Sequence, residues 1–188
     1  MSISSNCAVR PSAALPALSL AWCVLASSDT FAVELPASLA EDAAWRMSGQ
    51  GEARWWGFKL YDASLWIDGR QWRWQRPFAL ALRYSRAFSR GDLVDASLKE
   101  IERLFVPERE SLAHWRVELE QAFDDVAEGD RLTGIFSPGV GVIFYRGDDQ
   151  VHCIHDERFA RHFFSIWVDP RTRNPGLRTR LLGLTGDD

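Results

Sequence analysis

Arg54, Tyr61 and Tyr84 are the side chains whose types and setting could do chemistry together, because each lies in a run of apolar residues. A guanidinium offers a planar fork of N–H donors and a phenol offers an O–H. At the end of a greasy cleft, the three would present directed donors to an anion or a polarised carbonyl. The same donors could stabilise enolate or phenolate charge as an oxyanion hole does. A structural reading stands beside this one: Arg54 pairs with a carboxylate such as Asp62 or Asp92, and the tyrosines cap core edges with their hydroxyls in water.

Other chemistries find less support. The sequence has no GxxxxGK[ST] phosphate loop, no GxGxxG turn and no GxSxG nucleophile elbow. In His152-Cys153-Ile154-His155 the histidines fall on opposite faces of a strand, and a Cys153–His155 pair without a third ligand does not make zinc. No metal site and no cofactor is expected. His114 flanks a helical apolar stripe and needs no catalytic role. A net charge of -4 with dispersed basic residues gives no reason to expect a nucleic-acid partner. The cluster Arg171, Arg173, Arg178 and Arg180 reads as the solvated tail of a helical end.

Residues 1–32 differ from the rest. Arg10 precedes an Ala/Leu-rich run, and Thr30-Phe31-Ala32 offers small residues where a signal peptidase cuts, so a secretory leader cleaved after Ala32 is expected. That places the mature chain, residues 33–188, in the periplasm or outside the cell. Pro16 and Ser27-Ser28-Asp29 break the run too early for a membrane span, and no later segment is long and apolar enough for one. Cleavage would remove Cys7 and Cys23 and leave Cys153 without an internal disulfide partner. With 46% hydrophobic residues, the remainder can build one sizeable core.

The elements that must position Arg54 and the tyrosines follow from periodicity. Trp45 to Ser48 reads as an edge strand entering a turn at Gly49 and Gly51, and Gly51–Ile67 as a long strand or hairpin. The apolar parity changes near Leu60, which predicts a bulge or bend there. Asp68-Gly69 is a turn, and Phe78 to Tyr84 alternates as the clearest half-buried strand. Two helices follow, one capped by Ser89 or Asp92 and stopped by Pro107, the next carrying Leu112, Trp115, Leu119 and Val126 on one stripe. Three short antiparallel strands lie between Leu132 and Ile154, and two more helices start at Asp156 and Pro175. Strands, helices, strands, helices in that order favour an antiparallel sheet covered by helices over a doubly wound sheet.

Four segments together carry a resemblance. They are G-x-x-R followed by K-L-Y-D-A-S-L-W over Gly51–Trp66, A-L-R-Y-S-R at Ala81–Arg86, S-P-G-V-G-V-I-F at Ser137–Phe144, and the helix Asp156–Pro170 with Leu181–Gly183 beyond it. The ordered set resembles the chalcone isomerase-like family, closest to its bacterial, often secreted, branch. The resemblance implies an α+β, open-faced β-sandwich, with a large antiparallel sheet packed against helices and a ligand cleft between. In plant enzymes of the family that cleft cyclises a chalcone; in fatty-acid-binding relatives it holds an acyl chain. The resemblance puts Arg54 on the arginine that reaches the ligand's anionic or carbonyl end, Tyr61 on a threonine position, and Tyr84 on the catalytic tyrosine. The plant lysine and asparagine positions fall on Ala87 and Gly91, which have no hydrogen-bonding head, and the last specificity position is not placed before Ser165.

Loss of two convergent donors argues against chalcone isomerase activity. Arg83 and Arg86 replace the missing cation only if they enter the cleft. The expected function is a non-catalytic binding protein for a small amphipathic ligand, a fatty acid or aromatic acid, held through Arg54, Tyr61 and Tyr84. An isomerase or intramolecular lyase on another enone-type substrate requires Arg54 and Tyr84 to converge. A structural or protein-partner-binding module requires a cleft plugged by Trp56, Phe58 or Trp66.

Overall fold

The computed structural model describes residues 32–40 and 45–184, so the leader expected over residues 1–32 lies, apart from Ala32, outside the described residues. A single helical turn, α1 (Ala37–Ala40), precedes β1 (Trp45–Trp55), β2 (Phe58–Asp68) and β3 (Phe78–Tyr84). Then come α2 (Arg90–Phe105), α3 (Arg109–Ala122), β4 (Arg131–Ser137), β5 (Gly141–Arg146), β6 (Asp149–Ile154), α4 (Glu157–Val168) and α5 (Pro175–Leu182). The strands form one antiparallel sheet in the order β1-β2-β3-β4-β5-β6. This is the expected α+β arrangement, an open antiparallel sheet packed against helices.

Alternation sorts the two faces. Phe78, Leu80, Leu82 and Tyr84 of β3 join Ala63, Leu65 and Ile67 of β2 in the core under α2 to α5. Ala79, Ile135, Ile143 and Tyr145 point the other way and are covered by Leu35 and Leu39 of the N-terminal segment. Trp66 is on this second face, where its indole N–H donates to the Val33 carbonyl at 3.0 Å.

The bulge expected near Leu60 is present. Ala53 pairs with Tyr61 and Arg54 with Lys59, so β2 carries one residue more than β1 and Leu60 is left over. As a result Leu60 and Tyr61 both pack toward the helix-side core. The glycine turn is corrected. Gly49 and Gly51 lie inside β1, and the chain reverses instead at Trp56-Gly57, with φ of 51° and 83°. The glycines serve close approach, because a Cβ on Gly49 would stand 1.9 Å from the Arg180 carbonyl oxygen and one on Gly51 2.6 Å from Arg180 Nε. Bare backbone at these positions lets α5 lie against the edge strand.

Helix α2 decides where space remains. Ser89 caps it with a reciprocal capping box to Asp92. Its start is held further by the Arg90 N–H donating to Asp125 Oδ1 at 2.8 Å and by paired backbone bonds between Phe88 and Val126. Val126 therefore does not continue the α3 stripe as expected; α3 ends at Ala122, and Val126 bridges back to Phe88. At the far end of α2, Arg171 Nη1 donates to the Leu104 carbonyl and Arg103 Nη2 to the Arg171 carbonyl, at 2.9 and 3.0 Å. Between these fastenings α2 packs on α3 and α4 more than on the sheet.

The close approach of α5 yields an expected outcome. Gly49→Ala must displace backbone and is expected to lower unfolding free energy by about 2–3 kcal/mol. Gly91→Ala, in the first turn of α2 with its nearest contact at 3.8 Å, is expected to raise it by up to ~1 kcal/mol. Urea unfolding midpoints of the two variants check both signs.

Candidate functional site

Two adjoining cavities lie where α2 stands off the sheet. The inner one, about 430 Å³, runs between β2–β3 and α2–α4, with Leu82, Tyr84, Phe88, Leu93 and Phe163 among its walls. The outer one, about 570 Å³, opens toward the β1–β2 hairpin and α5, where Arg54, Arg173 and Arg180 reach it. Leu60, Tyr61, Ala96, Glu100, Ile166 and Trp167 line both, so the two cavities adjoin there. Each volume falls within the ~300–1,000 Å³ usual for small-molecule sites.

Tyr61 and Tyr84 sit directly opposite each other on β2 and β3. Their rings meet edge to face, with centroids 6.1 Å apart. The Tyr61 hydroxyl accepts a hydrogen bond from Trp167 Nε1 at 3.0 Å, which leaves its own proton free to donate. Tyr84 is 5% exposed and its hydroxyl makes no hydrogen bond, so its donor is spare beside the inner cavity. Burial raises the Tyr61 phenol to about 12, with the Trp167 indole opposing, and burial followed by the neighbouring Tyr61 raises Tyr84 as well. Both remain neutral donors at ordinary pH.

Arg54 stands apart from them. Its Nε and Nη2 donate to Glu52 at 2.6 and 3.2 Å, and its Nη1 donates to the Gly57 carbonyl at 3.0 Å. The partner is therefore neither Asp62 nor Asp92. Asp62 is bound by Lys59 at 2.7 Å and Arg83 at 3.3 Å, while Asp92 caps α2. The adjacent guanidinium holds the Glu52 carboxyl below its ordinary range. Arg54 and Tyr61 share the outer cavity, but neither cavity is lined by both Arg54 and Tyr84.

Among the described residues no arginine or lysine lines the inner cavity. Arg83 is drawn to Asp62, and Arg86 lies over the Phe88 ring at 5.6 Å. The carboxylates at its rim are engaged: Asp92 in the cap, its pKa lowered by hydrogen bonds from Ser89, and Glu100 by Arg103 and Arg173. Trp56, Phe58 and Trp66 plug neither cavity.

Periodicity alone did not identify Trp167, Glu100, Ala96 or Arg180 as site residues. Trp167 was legible as part of the α4 stripe, but its bond to Tyr61 depends on how α4 crosses β2. The C-terminal arginines are not a solvated tail: Arg178 donates to the Val168 carbonyl at 2.7 Å, Arg173 pairs with Glu100, and Arg180 borders the outer cavity. His152 bonds Glu118 at 2.8 Å, away from His155, which lies 3.6 Å from Cys153 Sγ. Cys7 and Cys23, on which the expectation about disulfides rests, lie outside the described residues. No cluster among the described residues could hold a metal ion.

An open antiparallel sheet, helices on one face and a divided cleft between them define an α+β ligand-cleft protein. The chalcone isomerase-like family model matches residues 28–183, and the chain belongs to that family. Among solved structures it is similar to the crystal structure of a fatty-acid binding protein from Arabidopsis thaliana. The TM-score is 0.57 at 9% identity, over 74% of this chain and 87% of that one. At that identity the likeness shows the fold. No curated protein matches significantly.

The tyrosine pair yields a contrast. Tyr61→Phe strips Trp167 of its acceptor and is expected to cost about 1 kcal/mol at pH 7. Tyr84→Phe removes a hydroxyl without a partner and is expected to change stability by no more than ~0.5 kcal/mol. The unfolded chain releases phenol protons from about pH 10, whereas the folded chain keeps them. Wild-type stability is therefore full below pH ~10 and falls as pH climbs toward about 12 for Tyr61. Either variant flattens that decline, as denaturant titrations across the range will show.

Proposed function

We propose that this protein binds a small amphipathic molecule, a fatty acid or an aromatic acid, without transforming it. One observation carries the reading: an arginine-bearing outer cavity adjoins an apolar inner cavity across a shared wall at Tyr61 and Trp167. An anionic head suits Arg180, and Arg54 where the head takes the place of Glu52; an apolar body suits Leu82, Phe88, Leu93 and Phe163. Tyr61 and Tyr84 supply neutral donors along the way. The fatty-acid binding named for the Arabidopsis structure, whose fold this chain shares, supports the same class of ligand.

The isomerase alternative is weaker on geometry. Its general base has no free occupant in the inner cavity, since the rim carboxylates are bound and no histidine lines it. The charge that an oxyanion-type site must stabilise beside Tyr84 would form in the inner cavity, which Arg54 does not line.

We also place the protein in the bacterial, secreted branch of its family and in the periplasm or outside the cell. The support is the leader-like composition of residues 1–32. No helix among the described residues is long and apolar enough to cross a membrane. Cell fractionation, with mass measurement of the exported chain, tests location and cleavage together.

Ligand binding is tested by native mass spectrometry of protein purified gently from producing cells. The wild type is expected to carry a stoichiometric organic acid. Arg54→Ala is expected to lose most of it, and Ala96→Trp, which fills the shared wall without touching the arginine, is expected to lose it too. Ligand retained in both variants overturns the assignment of the cleft.

A further inference from the structure

The β1–β2 hairpin ends in a surface that the ligand reading does not use. Trp55, Trp56 and Phe58 are 57%, 84% and 68% exposed, within four consecutive residues of an otherwise well-buried aromatic complement. Single exposed apolar residues need no explanation, but three large aromatics at one tip form a patch of the kind that meets an apolar partner. The backbone adds to this. Trp56 has φ of 51° and Gly57 83°, the left-handed pair of a two-residue hairpin turn, where asparagine before glycine is the unstrained choice. A tryptophan in the left-handed region carries strain that the turn itself does not need.

The ladder behind the tip is ordered by charge. Trp55 pairs with Phe58; directly behind them Arg54 pairs with Lys59; the carboxylates Glu52 and Asp62 pair two steps further back. At roughly 3.3 Å per residue, the cations stand one step behind the aromatics and the anions follow them. Of the four charges behind the tip the cations stand nearer to it, each paired with a carboxylate, Arg54 with Glu52 and Lys59 with Asp62. The aromatic tip matches a bilayer surface, where indoles rest at the interface. The mouth of the outer cavity is beside it, because Arg54 and Trp55 line that cavity.

We propose that the Trp55–Phe58 tip docks on the surface of a lipid bilayer, with Arg54 and Lys59 at headgroup level and the outer cavity facing the membrane. A ligand that partitions into lipid then has a short path from the interface past Arg54 into the cleft. Docking stands without the ligand assignment; only the transfer path rests on it.

The test is flotation of the whole protein with phosphatidylcholine vesicles, with and without phosphatidylglycerol. The wild type is expected to float with both to a similar degree, because the charges behind the tip are paired. Trp56→Asn keeps a favoured turn sequence, so its thermal midpoint should equal or exceed the wild type's, while its vesicle partitioning falls about tenfold, the scale set by one aromatic side chain. Phe58→Ser should weaken partitioning to a similar degree. Ligand carried by Trp56→Asn should match the wild type in native mass spectrometry, which separates a failure of docking from a failure of the ligand reading. A wild type that floats with neither vesicle overturns the proposal and assigns the tip to a protein partner, and so does a folded Trp56→Asn that floats equally well.

Discussion

Helix α2 is fastened at both ends and kept from settling onto the sheet below, and the site depends on that constraint. At its start the capping box and the Phe88–Val126 bridge hold it beside the exit of β3. At its end Arg103, Arg171 and Glu100 bind it to the segment after α4. A helix free at either end would roll its apolar stripe down onto Leu82 and Tyr84 and close the gap, since burial of apolar surface favours collapse. These polar fastenings hold it open, and the carboxylates they bring to the rim, Asp92 and Glu100, are themselves bonded. They also explain why Glu100 borders the cleft yet is not available as a base: it belongs to the brace.

The parts of this arrangement legible in the sequence were those set by local alternation or by a cap. The parity change at Leu60 marked the bulge because a strand's two faces cannot both be the core face without an extra residue. The caps at Ser89 and Asp156 were visible for a similar reason: a side-chain acceptor just before an apolar stripe is a local signal. Gly49 and Gly51 were misread as a turn because the commoner use of glycine is positive φ. Their actual service is to a helix more than a hundred residues away, at Arg180. The true turn was hidden for the opposite reason, since tryptophan is not a turn residue and Trp56 occupies one under strain.

The candidate site was legible as residue types but not as a constellation. Tyr61 and Tyr84 meet because β2 and β3 pair in the register their alternation implies. The structural reading of Arg54, a pairing with a carboxylate such as Asp62 or Asp92, holds in kind but not in partner, because Arg54 took the carboxylate two residues back. In an extended strand, residues i and i+2 share a face, so Glu52 was available before any tertiary contact formed. That local pair keeps Arg54 at the hairpin and out of the inner cavity, and it separates this site from one in which cation and phenol act on the same atom.

The same separation favours binding over catalysis. Two phenols whose pKa values are raised by burial donate hydrogen bonds but do not abstract protons. An enone cyclisation also needs the developing charge stabilised where it forms, and here the arginines line the outer cavity while Tyr84 lines the inner one. A molecule with charge at one end and apolar bulk at the other has no such requirement, because its two halves call for different environments at a fixed distance. Division of the cleft, which works against chemistry at a single atom, is what an amphipathic ligand requires.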